Sequence, residues 1–461
     1  MNVILVMSDS FRRDHIGAFG NPWIKTPALD RFASQAVVFP QFRIASFPTI
    51  PQRTDMFIGR YCFADRPWQP LKPDDVVLTE LLAKAGVETY MAADTPHLFR
   101  SAQMTFTRGF DGVHWSRGSE TDFWWTDYYN ECAYKPPTGK GEVRIGDKPF
   151  RQICSQGLRR VSELDWTTPQ TFQAGIEWLT RNYRRKHFFL YVDTFDPHEP
   201  WDPPVWARDL YLPDAKGIPY AWAEYGSIDR FGKDELRHLQ ALYAAECTVV
   251  DRWFGRLVDT VDLLGLADNT LIIFLSDHGH YLGYPCDGGL IGKFTNFSRA
   301  TGPMRGKEQF MPFLDTVSRP VFMVRMPGHA ARMCMELAQP PDVMPTILES
   351  FGVRVPAAVQ GRSLLPLLKG RAQRVRPAAV TAWHGNAAQI TDSRWLYGAS
   401  HAEFAPRLFD STTDPQQKHD VMKKFPGIAR RLHRQLIAEL KRLNAPPDWI
   451  AALDQKLKLL R

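Results

Sequence analysis

Short apolar runs bounded by polar residues recur along the chain, at residues 3–7, 87–91, 188–192 and 271–275. Unbroken runs of this length suit strands buried on both faces of a parallel sheet. Helical periodicity fills the intervals. It covers residues 26–36, with Pro27 near the start, and residues 171–183. It is clearest over about 233–263, where Leu242, Val249, Trp253, Leu257 and Val261 share one face. Strands alternating with helices predict an α/β sandwich around a large, mostly parallel sheet. From about residue 372 the pattern changes to short strands at 378–383, 388–391 and 394–397, followed by a helix at 428–443. The expected organisation is a catalytic domain over 1–371 and a small α+β subdomain over 372–461. Residues 110–160 read as a loop-like, aromatic-rich insertion carrying Trp124 and Trp125, candidates for an apolar leaving-group pocket, for surface packing of the insertion or for a subunit contact.

Composition narrows the class. With 461 residues and 44% apolar content, the chain is long enough for one large α/β domain and an appendage. Its net charge of +7 suits a small anionic substrate, and no basic run reads as a nucleic-acid stripe. The arginines and lysines of the C-terminal helix alternate with apolar residues, as on a solvated face. Six scattered cysteines show no zinc or redox spacing, which suggests reduced thiols. No run approaches the ~20 apolar residues of a membrane span. Met1-Asn2 leads directly into the first strand without a basic n-region. These features make a cytoplasmic enzyme without membrane or nucleic-acid partners the expectation, with a homo-oligomer left open.

The strongest strands end in polar clusters. The first runs into Ser8-Asp9-Ser10, the third into Asp193-Thr194-Phe195-Asp196-Pro197-His198, and the fourth into Ser276-Asp277-His278-Gly279-His280. Ligands of open α/β sheets bind at the carboxyl ends of strands, so these clusters are expected to share one site. Asp9, Asp277 and His278 offer two carboxylates and an imidazole to a divalent cation; the competing reading is that the aspartates cap the following helices.

Thr49-Ile50-Pro51-Gln52-Arg53 on its own reads as a turn entering a helix. Followed by Gly59-Arg60, it resembles the signature of the sulfatase family of the alkaline phosphatase superfamily, in which Cys or Ser leads x-Pro-x-Arg. The opening Asn2–Asp9, the stretch Asp14-His15-Ile16-Gly17 to Arg31, the Asp196-Pro197-His198-Glu199-Pro200 loop, Ser276–Gly279, Gly289–Lys293 and Gln360–Leu365 resemble further family motifs in the family's order. The resemblance implies an alkaline phosphatase-like sandwich and a metal-dependent hydrolase.

Two departures bear on mechanism. The family's Cys or Ser is oxidised to formylglycine, but oxidising Thr49 would give a ketone, so no formylglycine is expected. A threonine alkoxide is the nucleophile in related nucleotide phosphodiesterases, and a bound cation lowers a hydroxyl pKa. Ser10 replaces a second family Asp, a thinning similar to that of phosphonate monoester hydrolases. One divalent ion (Zn, Mn or Ca) is expected, preferably softer than calcium, on Asp9, Thr49, Asp277 and His278.

By resemblance, Thr49 attacks phosphorus or sulfur and Arg53 orients it. Lys293 and His198 bind the non-bridging oxygens, or His198 protonates the leaving oxygen. Lys307 is the alternative to Lys293. His97 and His384 are candidate substrate-binding residues, and His384 with Asp193 or Asp196 is weighed as a second metal site. His15 and His280 read as structural. The function expected is hydrolysis of phosphate diesters or phosphonate monoesters through a covalent threonine intermediate. The alternatives are a sulfatase, a phosphoryl transferase and an inactive substrate-binding protein.

Overall fold

The structure is a computed structural model that describes residues 1–120, 122, 124, 160–216, 221–223, 225–293, 313–371, 374–400 and 405–460. Numbering strands in chain order, eight form the main sheet: β1 (Asn2–Ser8), β2 (Val37–Val38), β3 (Glu88–Ala93), β4 (Gly112–Trp115), β5 (Phe188–Thr194), β7 (Thr270–Ser276), β10 (Phe322–Arg325) and β11 (Arg332–Met333). Their order is β11-β2-β10-β7-β1-β5-β3-β4. The central run from β7 to β4 is parallel, and β10 pairs antiparallel to β7. This is the mixed, mostly parallel sheet of the expected α/β sandwich.

Side chains alternate across a strand, so β1 feeds two cores. Val3, Leu5 and Met7 pack with Ile50, Met56 and Phe57 of the helix Thr49–Ile58. Ile4 and Val6 pack with Leu242, Val249 and Trp253 of the helix Lys233–Leu263. With both faces covered, β1, β5 and β7 are buried at every position, which is why they read as continuous apolar runs.

Part of the loop expectation for 110–160 is corrected. Gly112–Trp115 is the edge strand β4, paired parallel to β3. Its burial is only partial, so it lacks the apolar run that marks the central strands. Trp124 is exposed, with Arg117 over its ring at 5.8 Å, and Trp125 lies outside the described residues.

A three-stranded sheet, β6 (Gly226–Ser227), β9 (Leu290–Gly292) and β8 (Tyr281–Leu282), lies beyond the end of β7. A four-stranded antiparallel meander follows: β12 (Ala379–Trp383), β13 (Ala387–Thr391), β14 (Trp395–Ser400) and β15 (Arg407–Asp410). The helix Pro426–Arg442 lays Leu432, Leu436 and Leu440 into a core with Val380, Ile390 and Tyr397. Among the described residues, no helix is long and apolar enough to cross a membrane.

Candidate active site

Parallel register brings three acidic ends together. Ser8 lies opposite both Thr194 and Ser276, and Asp193 lies opposite both Met7 and Ala93. Asp9 and Asp277 therefore leave the sheet side by side, with Asp193 one strand over. Ser10 adopts a left-handed backbone (φ 60), which turns its N–H onto Asp277 Oδ1 at 2.9 Å. Its hydroxyl donates to Asp9 Oδ1 at 2.8 Å, so a neutral donor stands where the resemblance implies a second carboxylate.

Arg53 ties the ends together. Its Nε and Nη2 donate to Asp193 at 2.8 and 2.7 Å. Its Nη1 donates to Asp277 Oδ2 at 2.8 Å, to Asp9 Oδ2 at 3.2 Å and to the carbonyl oxygen of Thr49 at 3.2 Å. Asp193 is itself held by the hydroxyls of Thr95 and Tyr191. Thr49 is the first residue of its helix and is 2% exposed. It sits where the unpaired N–H groups and the positive end of the helix dipole favour an anion.

Asp9, Asp277 and His278 offer ligand atoms within 4.8 Å of one another, all buried. His278 Nδ1 lies 3.0 Å from the carbonyl oxygen of Gly279, which fixes the proton on Nδ1 and leaves Nε2 as a lone-pair donor. That Nε2 is buried and has no protein hydrogen-bond partner. Burial, working against the charge of Asp277, pushes the ring down to about 4, so it is neutral as a metal ligand must be. Burial and the neighbouring Asp277 charge hold the Asp9 carboxyl well above the usual carboxylate range. Burial opposes ionisation of Asp277 too, but His278 and Arg53 outweigh it and keep its carboxyl low. A buried, orphaned imidazole nitrogen facing two crowded carboxylates is a donor set that fits a divalent cation. Gly279 is required for this geometry, since a Cβ there would fall 1.8 Å from the carbonyl oxygen of Thr316.

Lys293 follows β9, is buried, and places Nζ 3.9 Å from Asp9 Oδ1. Lys307 lies outside the described residues. His198 is buried, with Phe195 stacked on its ring at 4.0 Å, and borders a small cavity also lined by Glu120, Arg160, Trp166, Asp196 and Asp202. His97 is one ring further out: it packs edge-on against Phe195 and pairs with Glu120 at 3.0 Å. His384 has Nδ1 2.7 Å from the carbonyl oxygen of Phe63 and its ring beside Trp449. Asp193 is committed to Arg53, and among the described residues Asp9, Asp277 and His278 make the one cluster of three or more metal-ligand side chains.

The sequence reading missed Asp193 as the anchor of Arg53, because nothing local distinguishes it from the polar end of any strand. His280, expected to be structural, is buried with Nδ1 3.6 Å from Glu199 Oε2, beside His198. His198 and Glu199 are neighbours in the chain, but no local pattern records their approach to a residue 81 positions after Glu199.

A family model described as Sulfatase matches residues 1–353. The chain is 24% identical over 483 residues to arylsulfatase K of Rattus norvegicus, covering 94% of this chain and 77% of the relative. It is 23% identical over 485 residues to an ulvan-active sulfatase of Formosa agariphila, covering 99% and 84%. The phosphonate monoester hydrolase of Agrobacterium radiobacter superposes with a TM-score of 0.72 at 20% identity, over 96% of each chain, which establishes a shared fold.

Proposed function

The chain belongs to the sulfatase family and is an ester-bond hydrolase; from that premise we propose that it cleaves phosphate diesters or phosphonate monoesters, with the Thr49 hydroxyl as nucleophile. The observation that carries this reading is Thr49 itself. It heads a helix whose Arg53 reaches back to its carbonyl and, with the same nitrogen, to Asp9 and Asp277. A threonine at this position yields no formylglycine, so the oxygen it offers is its own hydroxyl.

Asp9, Asp277 and His278 would hold one divalent cation, which supplies positive charge that lowers the pKa of a neighbouring hydroxyl and stabilises a crowded anion. Thr49 enters as the alkoxide and forms an ester with the transferred group. Arg53, fixed by Asp193, holds the helix start against the carboxylates and adds charge to the transition state. Lys293 binds a non-bridging oxygen. His198 serves the leaving oxygen, and water then cleaves the threonine ester. The thinned carboxylate shell favours zinc or manganese over calcium.

Sulfate ester hydrolysis is the second reading, favoured by the sulfatases among the relatives. One panel of aryl phosphate diesters, phosphonate monoesters, phosphate monoesters and sulfates, run on a metal-analysed preparation, separates the two. Thr49→Ala is expected to lose about 10³-fold or more in kcat while keeping its metal. Intact protein mass after a rapid quench should carry the transferred group on the wild type and not on the variant. Unchanged turnover in Thr49→Ala would mean that water attacks directly and would end this reading.

A further inference from the structure

Glu199 follows His198 in the loop leaving β5 and is 1% exposed. Its Oε2 lies 3.4 Å from His198 Nδ1 and 3.6 Å from His280 Nδ1. The Tyr225 hydroxyl donates to the other oxygen, Oε1. Tyr225 precedes β6, whose antiparallel pairing with β9 sets Gly226 opposite Ile291. Tyr225 therefore packs on Gly292, where a Cβ would fall 2.3 Å from the Tyr225 ring. The residue after Gly292 is Lys293. One short sheet thus sets both the phenol that grips Glu199 and the lysine that faces Asp9.

His198 Nδ1 also lies 2.6 Å from the carbonyl oxygen of Glu199. That carbonyl holds the proton of the neutral ring on Nδ1, so Nε2 is the atom available for the reaction, and the Glu199 carboxylate stands beside Nδ1 at ion-pair distance. We propose that Glu199 is the positioning residue of the leaving-group acid: its backbone carbonyl holds the His198 tautomer, and its carboxylate, gripped by Tyr225, balances the charge that the imidazole carries once Nε2 is protonated. This inference rests on the hydrolase reading above. In the forward step, the bond from Thr49 Oγ1 to phosphorus or sulfur forms as the bond to the leaving oxygen breaks. That oxygen takes the proton from Nε2, and His198 is left neutral with Nδ1–H in place. In the second step Nε2 takes a proton from the attacking water and Thr49 departs as the alkoxide.

The charges around His198 favour such a partner. Burial pushes the imidazole down to about 3, Glu199 pulls it up, Lys293 pushes it further down and Glu120 pulls it up. His280 faces the same Glu199 oxygen. An anionic substrate beside His198 and Lys293 adds negative charge on arrival, and Glu199 is the larger of the two fixed carboxylate contributions.

The test compares wild type, Glu199→Gln, Glu199→Asp and Tyr225→Phe on a 4-nitrophenyl and an alkyl ester of the same acid, reading kcat against pH. An acid matters most for the poor leaving group, so Glu199→Gln should lose about 10- to 100-fold on the alkyl ester and under about threefold on the nitrophenyl ester. The alkaline limb on the alkyl ester should move about one unit lower, because the imidazolium loses a neighbouring negative charge. Glu199→Asp and Tyr225→Phe should fall between. Equal losses on both esters, or an unmoved limb, would overturn the proposal. A readout independent of turnover is ¹⁵N-histidine NMR with inorganic phosphate bound, the His198 signal being assigned with His198→Gln. Glu199→Gln should lower the His198 titration by about one unit, and superimposable titrations overturn the proposal. If wild type cleaves no ester, the hydrolase reading fails and the NMR titration alone decides the role of Glu199.

Discussion

Arg53 and Asp193 form a closed fork, Nε to Oδ2 at 2.8 Å and Nη2 to Oδ1 at 2.7 Å, with both side chains fully buried. Planar two-point pairing fixes where the third nitrogen points. Here that nitrogen reaches Asp9, Asp277 and the carbonyl of Thr49. Asp193→Asn removes the charge and one acceptor but keeps the volume. It is expected to destabilise the protein by about 3–5 kcal/mol, because it leaves a buried charge short of a partner. It should also lower kcat by about 10²-fold with metal retained. Thermal unfolding and steady-state kinetics on the same preparation check both.

The lone pair on His278 Nε2 and the two aspartates account for one cation. Dialysed wild type is expected to hold one equivalent of zinc or manganese by elemental analysis. His278→Ala should weaken binding by at least about tenfold. Ser10→Asp tests why the site is thin in carboxylates. Position 10 already has a left-handed backbone that Asp tolerates, and a second carboxylate should shift preference toward calcium. A wild type that retains no divalent ion after loading would contradict the donor set.

Gly279 carries the packing that aims His278. An alanine Cβ would fall 1.8 Å from a backbone oxygen of residue 316, which a small side-chain adjustment does not relieve. Gly279→Ala is expected to cost about 1–3 kcal/mol by overpacking. It should also weaken metal binding in parallel, since the carbonyl of Gly279 holds His278 Nδ1. Full activity and an unchanged melting temperature would show that the segment after β7 yields more easily than its contacts imply.

Asp196 predicts a pH dependence of stability. Burial and the nearby Asp202 push its carboxyl up to about 7. Between its unfolded value near 4 and about 7, the folded chain holds the proton that the unfolded chain has lost. Stability from this group is therefore fully present below about pH 4, falls as pH rises and is gone above about 7. Asp196→Asn should flatten the decline. Allowing for partial exposure, the gain at pH 8 relative to pH 5 is about 1–2 kcal/mol. Melting temperatures at the two pH values measure it, and parallel curves for wild type and variant would remove Asp196 as the cause.

The sequence by itself determined the layered fold and the polar strand ends. Strands buried on both faces must be continuously apolar, and the helix Lys233–Leu263 must show one apolar face, so both patterns are written into adjacent residues. Asp9, Asp277 and His278 could be proposed as one cluster because ligands of such sheets gather at the carboxyl ends of strands. The edge strand Gly112–Trp115 escaped this logic, since a half-exposed strand needs no apolar run. What only the tertiary structure decided is which charges face one another. The Arg53–Asp193 fork spans 140 positions, and the approach of Glu199 to His280 depends on a loop and a separate strand end meeting in space. Backbone periodicity is a local property and survives in the sequence; the partner of a buried charge is set by register and chain crossings, which no local pattern records.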